Sequence, residues 1–147
     1  KWRVNIEKSE MTDDTNVFMF LDSNEPVNCG GNNGNPVSLV VRCMENTTSV
    51  YFSTGCHMTS SRYNSYGDVT YRLDEQKAKT KGFQDSTNNK SLGLWRGGSA
   101  IPFIKQMLNN KKVLVRMTPY GENAITANFD ITGSETEIEP LREACGW

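Results

Sequence analysis

Four cysteines, Cys29, Cys43, Cys56 and Cys145, are spread over 147 residues, and no two of them form a C-x-x-C pair. Zinc ribbons and thioredoxin-type redox sites need that close spacing, so the sequence points away from both. An even number of cysteines permits two disulfides, and sequence leaves the three possible pairings open. Reduced, buried thiols are the competing reading. His57 is the only histidine and directly follows Cys56. Neighbours in a strand point to opposite faces, which disfavours a shared metal site. The expectation is therefore two structural disulfides, no metal and no cofactor. Each bridge stabilises a domain by about 2–4 kcal/mol. Bridges persist where the surroundings are oxidising, which implies a periplasmic or extracellular location. The chain begins at Lys1, as a processed or trimmed N-terminus would, and an exported chain would have lost its signal peptide.

The remaining composition narrows the class. Sixteen Lys and Arg against 17 Asp and Glu give a net charge of −1, which argues against broad electrostatic binding to nucleic acid or anionic membranes. With 36% hydrophobic and 22% charged residues, the chain has enough apolar surface for a packed core. No apolar run approaches the ~20 residues of a membrane-spanning helix, so no membrane insertion is expected. No repeat or linker divides the sequence, and residues 1–147 read as one β-rich domain.

Period-two patterning supplies the strands. Trp2, Val4 and Ile6 share one face of a first strand, and Asn16 to Leu21 form a second that is apolar on both faces. Asp22 to Pro36 is rich in Gly, Pro and Asn and reads as a long loop. Ser38 to Met44 and Ser49 to Ser53 form a hairpin around Asn46 and Thr47. After a polar loop from Gly55 to Gly67 comes a strand from Asp68 to Leu73. Gln76 to Thr87 reads as an irregular crossing around Phe83. Leu92 to Trp95 is a short strand. Ser99 offers a helix cap, and Ile101, Ile104, Met107 and Leu108 follow at helical spacing with Pro102 in the first turn. Lys112 to Thr118 and Asn123 to Ile131 are antiparallel strands, and Thr136 to Cys145 is a final helix with Ile138, Leu141 and Cys145 on one face. This order lacks βαβ alternation. The fold expected is mainly β with small helices: an antiparallel β-sandwich or a strongly bent antiparallel sheet with one or two short helices at its edge.

Catalytic chemistry finds little support. Histidine is the usual base for a serine nucleophile, but only His57 is present and no G-x-S-x-G elbow exposes a serine. His57 reads as a polar loop residue beside a disulfide rather than as a general base or metal ligand. Asp13, Asp14, Asp68, Asp74, Glu75 and Asp130 have the right type for glycosidase chemistry, yet read as solvated charges or caps. Gly30-Gly31-Asn32-Asn33-Gly34 is followed by no Lys-Ser/Thr pair and is no P-loop. Arg72, Asp74, Arg116 and Tyr120 are the candidate binding residues, because Arg and Tyr are enriched where proteins meet. A cross-strand ion pair and a satisfied phenol are the structural alternative. Trp95 is either an exposed aromatic anchor on a turn or a side chain packed against the helix. Asn46-Thr47-Thr48 and Asn89-Lys90-Ser91 match the glycosylation triplet, which arises by chance in an Asn-rich chain.

Several features recur together in order: Trp2-x-Val4, Ser9-x-Met11-Thr12-Asp13-Asp14, Leu39 to Cys43 and Val69 to Asp74. Phe103-Ile104-x-x-Met107-Leu108, Thr118-Pro119-Tyr120, Phe129-Asp130-Ile131-Thr132-Gly133 and Leu141 to Trp147 follow. The set resembles the VasI/TagO-like family of type VI secretion-associated accessory proteins over nearly the whole chain. It departs from that pattern in the Asn28 to Asn35 segment, in Cys56 and in Phe83, where tryptophan is expected. The resemblance implies a bacterial exported protein whose partner is an envelope or secretion-machine protein, and it transfers no catalytic motif. The function expected is a non-enzymatic accessory domain acting through protein–protein contact. Two alternatives are an envelope enzyme acting on cell-wall glycan through carboxylates, and a phage- or prophage-encoded inhibitor presenting the Asn28 to Asn35 loop.

Overall fold

A computed structural model describes residues 1–61 and 63–147; position 62, within the expected Gly55 to Gly67 loop, lies outside the described residues. Among the described residues, ten strands form two antiparallel sheets. Strands β1 (Arg3–Lys8), β2 (Thr15–Cys29), β3 (Asn32–Met44), β4 (Thr47–Ser53), β7 (Gln84–Asp85) and β8 (Ser91–Leu94) make the larger, in the order β1-β2-β3-β4-β8-β7. Strands β5 (Asp68–Leu73), β6 (Lys79–Gly82), β9 (Lys112–Met117) and β10 (Ile125–Asp130) make the smaller, in the order β10-β9-β5-β6.

The sheets form because alternate residues are apolar and face one another. Met19, Val41, Val50 and Leu94 stand in register across the larger sheet, and Leu21, Leu39, Phe52 and Leu92 form the next row. All eight are buried. The smaller sheet answers with Val69, Tyr71 and Leu73 from β5, Val113, Val115 and Met117 from β9, and Ile125, Ala127 and Phe129 from β10. Burying each large aliphatic or aromatic side chain stabilises the fold by about 1.5–3 kcal/mol. Rings join the two layers. Phe52 meets Phe129 at 5.8 Å and Phe83 at 6.0 Å, Phe83 meets Phe103 at 5.4 Å, and Phe103 meets Tyr71 at 4.9 Å. The architecture is sandwich-like, as the patterning predicts.

Two segments differ from expectation. Residues 22–36 are not a free loop: β2 and β3 continue as a long hairpin, with Pro26 opposite Pro36 and Cys29 opposite Asn32. The ladder is irregular after Asp22, where the Ser23 hydroxyl donates to the Glu25 carbonyl and accepts from the Val37 N–H. Bulges of this kind erase the period-two signal, because the extra residue shifts side-chain parity. Likewise the Gln76 to Thr87 crossing contains two short strands. β6 pairs with β5 in the smaller sheet, β7 pairs with β8 in the larger, and buried Phe83 lies between them. The chain therefore changes sheet at Phe83.

Helix α1 (Gly97–Met107) buries Ala100, Phe103, Ile104 and Met107. Ser99 does not cap it: Arg96 is the N-cap without a side-chain bond, and the Ser99 hydroxyl donates to the Arg96 carbonyl. Pro102 lies one turn deeper than expected, and Asn109 ends the segment at φ 68°. The single C-terminal helix resolves into α2 (Ser134–Glu137) and α3 (Glu139–Cys145). Pro140 accounts for the break. It has no N–H for the carbonyl four residues back, and its ring crowds that carbonyl.

Two disulfides resolve the pairing: Cys29 joins Cys56, and Cys43 joins Cys145. The second ties α3 to β3. Beside it the Trp147 indole N–H donates to Thr48 Oγ1 at 2.9 Å, and the Arg142 guanidinium lies 4.8 Å above the Trp147 ring.

Gly93 shows how tightly the outer face of the larger sheet is built. A Cβ there would lie 2.6 Å from the Trp95 ring and 2.7 Å from Tyr51 Cβ. Gly93→Ala should expel Trp95 from Tyr51 and lower stability by about 1–3 kcal/mol. Urea unfolding and the near-ultraviolet circular dichroism of the ring pair would read this; an unchanged aromatic spectrum would refute it.

Candidate functional site

The four candidate binding residues do not converge on one place. On β5 and β9, Thr70 is opposite Arg116 and Arg72 is opposite Leu114. Val69, Tyr71, Val113 and Val115 face the core, so Arg72 and Arg116 share the solvent face. Together with Thr70, Leu114 and Thr126 they line a cleft of about 210 Å³. The two guanidinium groups are held differently. Arg72 donates from Nε to the Gln76 carbonyl at 2.8 Å and lies 3.4 Å from Glu75 Oε1. The Arg116 guanidinium makes no ion pair or hydrogen bond with the described residues.

Asp74 does not join either arginine. It occupies the turn after β5 at φ 48°, where Oδ1 accepts the N–H groups of Lys111 and Lys112 at 3.0 and 2.9 Å. Its carboxylate thus fastens the start of β9 to the end of β5, and the cross-strand ion pair considered from sequence does not form.

Tyr120 lies in the β9–β10 turn and is 60% exposed. Its N–H donates to the His57 carbonyl at 2.9 Å, and its ring meets His57 at 5.8 Å and Tyr66 at 5.4 Å. The Tyr66 hydroxyl accepts the Gly121 N–H at 3.3 Å. His57 is an exposed loop residue in this ring cluster. The same end of the molecule is pinned by Cys29–Cys56 and by the Gly30 N–H, which donates to the Glu122 carboxylate at 3.0 Å. Asn32 reinforces it: buried, it donates to the Thr54 carbonyl at 2.7 Å and accepts the Asn35 N–H at 2.9 Å. The Asn28 to Asn35 segment is consequently a fastened hairpin tip rather than a projecting loop.

Of the carboxylates singled out by type, Asp13 and Asp14 share the connection between β1 and β2, Asp74 and Glu75 share the turn after β5, and Asp68 and Asp130 lie on β5 and β10. Asp130 stands out electrostatically: hydrogen bonds from the Thr132 hydroxyl and from its N–H, at 3.1 Å, hold the carboxyl below its ordinary value. Among the described residues no three His, Cys, Asp or Glu side chains cluster in a way that could hold a metal ion. No described helix is long and apolar enough to cross a membrane.

A third group was not legible from sequence. Arg42, Tyr51 and Trp95, from β3, β4 and the residue after β8, meet on the outer face of the larger sheet. Tyr51 and Trp95 stack at 4.9 Å, and the Arg42 guanidinium lies 5.3 Å and 5.7 Å from their rings. Trp95 therefore packs on the sheet instead of against α1. Only its position after a short strand signalled it; the strand order that brings β8 beside β4 has no sequence mark.

Comparison with known families gives a match over the entire chain: residues 1–147 fit the model of the type VI secretion system VasI/EvfG family. Searches among curated proteins and solved structures gave no match. The chain belongs to the VasI/EvfG family and is a type VI secretion-associated protein.

Proposed function

We propose, with that membership as premise, that this chain is a non-enzymatic accessory domain that works in the periplasm by gripping a protein of the secretion machine. The observation that carries the reading is Tyr120. A tyrosine 60% exposed, braced by two further rings and by a backbone bond, on an end closed by a disulfide, loses little conformational freedom on binding. Rigid exposed Tyr and unpaired Arg are the side chains that dominate protein–protein contacts. Arg116 supplies the second kind, on the strand leading into the same turn. The two disulfides support an oxidising compartment. Residues 1–147 act as one unit in this reading, built around one contiguous core.

The test is complementation in the native host. A strain lacking the gene should regain type VI secretion with the wild-type chain and lose at least about tenfold of that activity with Tyr120→Ala/Arg116→Glu, the range expected for truncating contact hot spots. The variant must retain both disulfides and its circular dichroism. Full activity from the folded double variant would refute this contact surface.

A further inference from the structure

We propose that the cleft beside Trp95, whose lining includes none of His57, Tyr66 and Tyr120, is a binding site for an acidic saccharide. The cleft holds about 360 Å³ and is walled by Arg42, Tyr51 and Trp95 on one side and by residues 85–88 and Ser91 on the other. That size admits one or two sugar rings. Its donors lack acceptors. Arg42 Nε is buried without a hydrogen-bond partner, and no carboxylate among the described residues lies within 4.0 Å of the guanidinium. The Thr87 hydroxyl and the Asn88 amide nitrogen also have no protein partner among the described residues. The one carboxylate on the wall is already engaged. Asp85 accepts from the Ser60 hydroxyl at 2.7 Å and from the Asn89 amide at 2.8 Å.

The aromatic wall is held in place. The Trp95 indole N–H donates to the Gln84 carbonyl, the Trp95 carbonyl accepts from the Ser49 hydroxyl, and Gly93 leaves room for the ring. A second cleft of about 470 Å³ continues on the other side of Trp95, lined by Lys81, Arg96 and Ser99 among others. Cations therefore flank the ring on both sides. An acceptor-rich, negatively charged molecule with flat apolar faces fits this arrangement. A pyranose carrying a carboxylate has all three properties: ring C–H groups for the indole, hydroxyls for Thr87 and Asn88, and a carboxylate for Arg42. An acidic peptide would satisfy the charge and the amide but would offer the indole no flat face of ring C–H groups.

The experiment titrates trigalacturonic acid into the ¹⁵N-labelled, disulfide-bonded chain and follows the three indole N–H signals. Trp95 should shift saturably while those of Trp2 and Trp147 stay fixed. The fully methyl-esterified trisaccharide should bind at least about tenfold more weakly, as should Arg42→Gln, because each removes a charge-assisted hydrogen bond. Should Arg42→Gln misfold, Arg96→Gln/Lys81→Gln replaces two surface cations and should weaken binding several-fold. Hexaglutamate is the competing ligand. No saturable Trp95 shift, equal binding of the ester, or binding of hexaglutamate in preference to the saccharide would each overturn the assignment.

Discussion

Replacing Cys43 and Cys145 together by alanine should lower the unfolding free energy by about 4–5 kcal/mol, more than the same replacement of Cys29 and Cys56. The bridge spans 102 residues of sequence, and the restriction it places on the unfolded ensemble grows with the logarithm of that span. The Cys29–Cys56 bridge spans 27 residues and should be worth about 3.5 kcal/mol by the same relation. Paired urea titrations of the two double variants measure the difference. A smaller loss for the long span than for the short one would mean that native packing around the sulfurs, rather than restriction of the unfolded chain, sets their value. The long bridge also has a local task. Without it, α3 is held by Leu141, by the Trp147–Thr48 hydrogen bond and by Lys105 of α1, whose ammonium lies 5.9 Å from the Trp147 ring. Hydrogen exchange should therefore rise first in residues 139–147 of that variant, ahead of both sheets.

Phe83→Ala should cost about 3–5 kcal/mol, the range for deleting a buried aromatic ring. Phe83 is 3% exposed and touches Phe52 of the larger sheet and Phe103 of α1. It also marks the point where the backbone passes from β6 to β7, so its ring fills the space that the crossing leaves open. Phe83→Leu should cost less, because a branched aliphatic group fills part of that space. Chemical unfolding monitored at more than one wavelength tests this. A loss below about 1 kcal/mol for Phe83→Ala would show that the two layers hold together without the ring.

Much of the architecture can be read from residues whose environment is decided locally. Val69, Tyr71 and Leu73 alternate cleanly, so β5 has the bounds that its pattern gives. Val113, Val115 and Met117 alternate likewise, and β9 and β10 lie within the expected Lys112 to Thr118 and Asn123 to Ile131, joined through the Gly121 turn. Parity along β5 and β9 is enough to put Arg72 and Arg116 on one face. What parity cannot supply is the distant partner. Asp74 turns its carboxylate to Lys111 and Lys112, 37 and 38 residues away, because the turn after β5 happens to lie against the start of β9. The long β2–β3 hairpin is hidden for another reason. Its outer half draws little on side-chain burial and much on backbone pairing, a disulfide and Asn32, and none of these leaves a periodic trace. The Arg42–Tyr51–Trp95 group depends on β8 lying next to β4, although Tyr51 and its partner Gly93 stand 42 positions apart in sequence, far more than a simple hairpin return.

The two sulfur links cross in sequence: 29 with 56, and 43 with 145. A chain threaded into an oxidising space from its N-terminus presents the thiols of Cys29 and Cys43 before that of Cys56. An oxidant acting in order of emergence joins the first two, and that link belongs to neither final pair. Reaching the interleaved connectivity then requires thiolate attack on the early link and its exchange, the reaction that disulfide isomerases accelerate. Under that order of oxidation, correct pairing is expected to need a reshuffling activity as well as an oxidant, and a host that supplies only the latter is expected to accumulate a mispaired form.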